Sequence, residues 1–211
     1  MNTALLSVFG SCIATIIPLL IVCLIIKEKN SRYILIYFCW GTLAGLLAFI
    51  INSLLSQSPG QEDRLLTVIA PIVEESLKGL PLLLFLNRKR YPKITELIVY
   101  CAIATGVGFS IQESMYYFNH VTGSVGLIVT LTARTLTTAL MHGVSTAIIG
   151  FGLMLMQNQR HIILPLIFGL FAVSVSIHAT FNLLLPTNFA MIAILIPVSL
   201  YLTGIVLLKK T

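Results

Sequence analysis

Seven apolar runs, each approaching the ~20 residues that carry a helix across a bilayer, follow one another along this chain with only short polar connections between them. Charged side chains are too scarce for any soluble alternative. They make up 9% of 211 residues, against about 25% in an ordinary soluble domain. Seven acidic and thirteen basic residues cannot cover a globule of this size. The fold class is therefore all-α, a polytopic transmembrane bundle of about seven helices.

The periodicity and turn signals predict helices over 4–26, 34–55, 65–86, 94–118, 127–156, 162–185 and 190–208. No segment is long enough for a separate soluble domain and no repeat relates the halves. Residues 1–211 read as one membrane domain. Lys27, Lys29, Arg32, Arg88, Lys89, Arg90, Lys93, Arg160, Lys209 and Lys210 lie at one set of helix ends, and only Arg64 lies at the other. The positive-inside rule then puts the N-terminus outside and the C-terminus in the cytoplasm. These clusters also account for the net charge of +6 without nucleic acid. The bilayer, not nucleic acid, is the expected partner. Cys12, Cys23, Cys39 and Cys101 sit in apolar runs without metal or haem spacing, and read as packing residues. With no basic stretch before it and basic residues after it, the first run reads as a retained helix.

Several ionisable residues fall inside the predicted spans, where each charge costs at least ~2.5–3.5 kcal/mol. In the third helix, Glu74 and Lys78 share a face, while Glu75 points about 100° away. The lysine can hold one carboxylate ionised and leave the other for proton transfer. The fourth helix carries Gly106-Val-Gly-Phe109-Ser-Ile-Gln-Glu113, whose small residues permit close helix approach and whose Glu113 shares a face with Phe109. The fifth aligns Arg134, Thr138, His142 and Ser145, and the sixth aligns Ser174, His178 and Asn182. Such recurring stripes predict one shared polar cavity. At ~1.5 Å per residue, Glu74, Glu113, His178 and Asn182 lie roughly 14, 8, 11 and 5 Å from the outer ends of their spans. His142, at about 22 Å, is the outlier.

Carboxylates, imidazoles and an amide donor around a wet cavity suit hydrolysis: a glutamate deprotonates water, an imidazole assists, and His or Asn donors stabilise an oxyanion. No serine or cysteine has a base at recognisable spacing, and H-E-x-x-H is absent. A water nucleophile activated by glutamate or by metal remains.

The ordered set Glu74-Glu75-Ser76-Leu77-Lys78 (E-E-x-x-K), Phe109 to Glu113 (F-x-x-x-E), Arg134 with His142, and His178 to Asn182 (H-x-x-x-N/D) resembles the PrsW family of intramembrane proteases, relatives of the CAAX-processing and bacteriocin-immunity membrane proteases. The motifs cover about residues 65–185, leaving 4–55 and 190–208 as peripheral helices. The resemblance implies a multi-pass protease of the bacterial plasma membrane. Such an enzyme makes a first, extracytoplasmic cut in a single-pass membrane protein, for example an anti-sigma factor. It also implies a water-activating role for Glu74 or Glu75, support or ligation by His142 and Glu113, and an oxyanion site at His178 and Asn182. Lys78, Phe109 and Arg134 would support them. The chain departs from the family pattern at Ser114, where Asn is frequent, and at Glu96-Leu97-Ile98, where Asp-Gly is frequent.

Zinc is an open alternative, with Glu75, Glu113, His142 and His178 as its ligands. A metal-independent glutamate mechanism is preferred, because the Lys78 ammonium would compete with a cation and Asn182 is a poor zinc ligand. Two other functions share these residues. A non-catalytic binding or immunity relative would keep the same cavity, and an ion-coupled transporter would also bury such charges, although the paired repeats of transporters are not evident.

Overall fold

The computed structural model describes residues 3–26, 31–56, 68–86, 96–120, 126–155 and 162–208. The described residues form helices α1 (Thr3–Ile25), α2 (Ser31–Leu55), α3 (Ala70–Gly79), α4 (Glu96–His120), α5 (Gly126–Leu155), α6 (Ile163–Leu184) and α7 (Ala190–Leu208). All seven expected helices are present. Four of them, α2, α4, α5 and α6, contain stretches long and apolar enough to cross a membrane. Apart from Arg32, the basic residues that signal orientation lie outside the described residues.

The third element differs from the expected uninterrupted helix over 65–86. Its α-helical part ends at Gly79 and continues as a 3₁₀ helix over Leu80–Leu86. Pro81 is the cause, since it has no N–H to donate and its ring crowds the carbonyl four residues earlier, that of Leu77. That carbonyl accepts the indole N–H of Trp40 at 3.0 Å instead. The carbonyl of Pro81 accepts the Tyr37 hydroxyl at 2.9 Å. Both donors belong to α2, so the break in α3 is bound to its neighbour.

α4 is the central helix, with 78% of its candidate span buried, whereas the corresponding value for α6 is 17%. Burial this complete needs close neighbours. Gly41 of α2 lies against the Thr105 carbonyl, and Gly106 of α4 lies against the His142 carbonyl, in both cases with no room for a Cβ. Helix backbones meet at these points, as small residues allow in a membrane. The second of them fixes His142 relative to Glu113.

Candidate active site

Glu75 and Lys78 are fully buried and paired at 2.6 Å. An ammonium and a carboxylate placed this deep need further hydrogen bonds beyond their own pairing. Both have them. Lys78 Nζ also donates to His142 Nδ1 (2.9 Å) and lies 3.3 Å from Ser145 Oγ. Glu75 Oε1 accepts from Ser145 (3.0 Å) and from His178 Nδ1 (2.8 Å), and its Oε2 accepts from Ser174 at 2.8 Å. Phe109 closes this network from α4, with Lys78 Nζ 5.0 Å from its ring centre and the His142 ring at 4.9 Å.

These partners determine both histidine tautomers. Lys78 can only donate, so His142 Nδ1 accepts and Nε2 carries the proton, which it gives to Glu113 Oε2 at 2.5 Å. A carboxylate can only accept, so His178 Nδ1 is a protonated nitrogen, and in the neutral ring Nε2 then presents a lone pair. Arg134 Nη2 approaches the other Glu113 oxygen at 3.9 Å.

Glu74 faces the opposite way from its neighbour. Its Oε1 accepts from Asn52 Nδ2 at 3.3 Å. Its Oε2 lies 3.6 Å from His178 Nε2, and both atoms are buried without a hydrogen-bond partner. Glu74 lines a cleft of about 390 Å³ together with Glu113, Asn182, Asn52 and Phe109. Glu75, His142 and His178 lie behind this lining and are not part of it.

The expected cavity residues therefore converge, with three adjustments. His142 joins the group, its ring centre 4.8 Å from that of His178. Counting from the end of α5 exaggerates its depth, because 30 residues make a helix about 45 Å long, well beyond a ~30 Å hydrocarbon core. Glu74, not Glu75, is the carboxylate at the cleft. And α2, expected at the periphery, forms a wall of it through Asn52. The signal for Asn52 was available, since an amide within an apolar span calls for a partner just as the other stripes do.

Among the described residues, donor atoms of Glu74, Glu113, His142 and His178 lie within 4.8 Å of one another. Tetrahedral zinc with bonds of 2.0–2.2 Å sets its ligands about 3.4 Å apart, close to the 3.6 Å between Glu74 and His178. The link from His178 Nδ1–H to Glu75 is also the usual support for a ligating imidazole. Glu74 and His178 thus stand at the spacing of two ligands of one ion, and Glu113 lies within 4.8 Å of both. His142 fits only after its Nε2 proton is lost, and at 2.5 Å it is nearer to Glu113 than two ligands of one ion would be.

Comparison with curated proteins and with solved structures returned no match. The model of the PrsW family intramembrane metalloproteases matches residues 29–208, which include all four motif helices and the α2 wall of the cleft. The chain belongs to the PrsW family of intramembrane metalloproteases.

Proposed function

We propose that this protein is an intramembrane endopeptidase that cuts a single-pass membrane protein, with Glu74 activating water and His178 carrying the proton. The observation behind this assignment is the pair of unpartnered atoms, Glu74 Oε2 and His178 Nε2, 3.6 Å apart, with Glu74 lining the cleft and His178 directly behind it. A water between them donates one hydrogen to each. As its oxygen bonds to the peptide carbonyl carbon, Glu74 takes the proton, and the Asn182 amide supplies a donor to the oxyanion. The C–N bond then breaks, and the proton passes through His178 Nε2 to the leaving nitrogen. Glu75 holds the His178 ring for both steps and stabilises its protonated form. The Lys78–His142–Glu113 chain holds the second cleft carboxylate in place.

The reaction runs in this scheme without metal, and Lys78, by committing His142 to the Nε2–H tautomer, takes that ring out of the donor set. A metal reading has its own support in the four clustered donors and in the family's description. Zinc held by Glu74, Glu113 and His178 would polarise the peptide carbonyl and acidify bound water. Protein stripped of metal to well below one equivalent should still cut a panel of single-pass substrates, and Glu74→Gln and His178→Ala should abolish cutting. Activity lost on stripping and restored by stoichiometric zinc decides for the metalloprotease.

The setting we propose is the bacterial plasma membrane, N-terminus outside, with an anti-sigma factor as the type of substrate. Ser56, Ala70 and Tyr116 line the cleft near the helix ends that this orientation puts outside. Reporter fusions after Lys93 and Arg160 should read cytoplasmic, and one after Gly60 external. An external signal after Lys93 rejects this orientation.

A further inference from the structure

The family motifs reside on α3 to α6 and leave unexplained why α2 carries a cleft-facing stripe of small and polar residues. Ala48, Asn52 and Ser56 recur every four residues along its inner face and all line the cleft. The stripe starts where α2 and α4 still lie close together, since a Cβ on Gly45 would meet the Phe109 carbonyl at 3.0 Å. Four residues on, Phe49 and Tyr116 face each other with ring centres 6.0 Å apart, and both line the cleft. The cleft is thus closed at Gly45 and flanked by aromatic rings further along.

The chemistry of this lining selects the occupant. At about 390 Å³ the space is at the low end for ligand pockets, so it takes a few residues and not a whole membrane helix. A few residues removed from a helix expose backbone N–H and C=O groups, which hydrocarbon cannot satisfy. Asn52, Gln112 and Asn182 answer that need with uncharged donors and acceptors around the two carboxylates. Asn52 is the best placed. The Glu74 carboxylate takes its N–H, which leaves Oδ1 as a buried acceptor with no partner.

We propose that the inner face of α2 is the substrate-reading wall of the protease, taking an unwound segment of a membrane-spanning polypeptide. Asn52 Oδ1 accepts a backbone N–H of that segment, and Ala48 sets the size of the side chain admitted beside the bond to be cut. The assignment rests on the protease reading above. It adds substrate recognition to a helix outside the motif set.

The test uses the full-length protein in lipid vesicles and fluorogenic 25-residue membrane-spanning peptides. The peptides carry Gly, Ala, Leu or Phe in turn at each residue around the cut, with backbone N-methylation in a parallel series. For the native protein, one N-methyl position should raise KM about tenfold. In Asn52→Leu, KM for the unmethylated peptide should rise by a similar factor, and methylation at that position should then have no further effect. Ala48→Val should lower kcat/KM for Leu and Phe at least tenfold relative to Gly, and Ala48→Gly should shift the preference the other way. A merely structural role for either residue would not move these ratios. Native protein that cuts the peptides while Asn52→Leu and both Ala48 variants keep its methylation profile and size preference overturns the proposal and leaves the protease reading intact. Native protein that neither cuts nor binds any of the peptides overturns both.

Discussion

The two sides of the Glu74-Glu75 dipeptide are built on opposite principles. On the Glu75 side every proton has an acceptor: Lys78, Ser145, Ser174 and His178 Nδ1 saturate one carboxylate that is fully buried. On the Glu74 side a single 3.3 Å bond from Asn52 holds the carboxylate, and two buried polar atoms face each other unpaired. Under the proposed mechanism the difference separates scaffold from chemistry. A saturated network has nothing left to give a substrate, whereas unpaired groups at a cleft gain by acquiring one.

The sharpest way to break this division is through the two isosteric amides. Glu74→Gln should lower turnover about 10³-fold, within the usual range for a lost general base, with a melting temperature close to native. Glu75→Gln should instead lose about 3–5 kcal/mol of stability, because it strands Lys78 without a counter-ion. Equal melting curves for the two variants would erase the distinction. Next in size, Lys78→Met alone should cost about 3–5 kcal/mol, and most of that should return in the Glu75→Gln/Lys78→Met double variant. Additive losses would show that the pair is not the unit holding the core together. Ser174→Ala, which removes one donor to the buried carboxylate, should cost about 1.5–3 kcal/mol and leave substrate preference unchanged. A changed preference would move Ser174 to the cleft side. The smallest effect is expected outside both regions: Trp40→Phe deletes the indole bond to Leu77 and should cost about 1 kcal/mol in chemical denaturation.

Much of this arrangement is legible in the sequence because a membrane penalises misplaced charge. Glu113, His142 and His178 reveal themselves by lying in apolar runs, and helical spacing aligns each with its neighbours. The same spacing shows that Glu74 and Glu75 diverge, but not which of them faces the cleft. That depends on the rotation of α3, which is fixed by Ser145 and Ser174 on distant helices. Ordinary as single residues, these serines become informative once they are seen to meet one carboxylate. The 3₁₀ turn at Leu80–Leu86 was signalled by Pro81, yet its attachment to Trp40 and Tyr37 depends on a tertiary contact. The α2 wall was hidden by its own composition, as one amide in 25 mostly apolar residues hardly alters a hydropathy profile.

The proline break in α3 also has a mechanical side. Its freed Leu77 carbonyl and the next accessible one, at Pro81, are bolted to α2 by Trp40 and Tyr37, while the Asn52 end is latched to Glu74 by one long bond. Two firm fasteners at one end and a weak one at the other make a clothes-peg, with its pivot at the break and its jaws at the cleft. The Asn52 bond is the weakest of these three ties, and in the proposed reaction the carboxylate it holds is the one that meets the incoming chain.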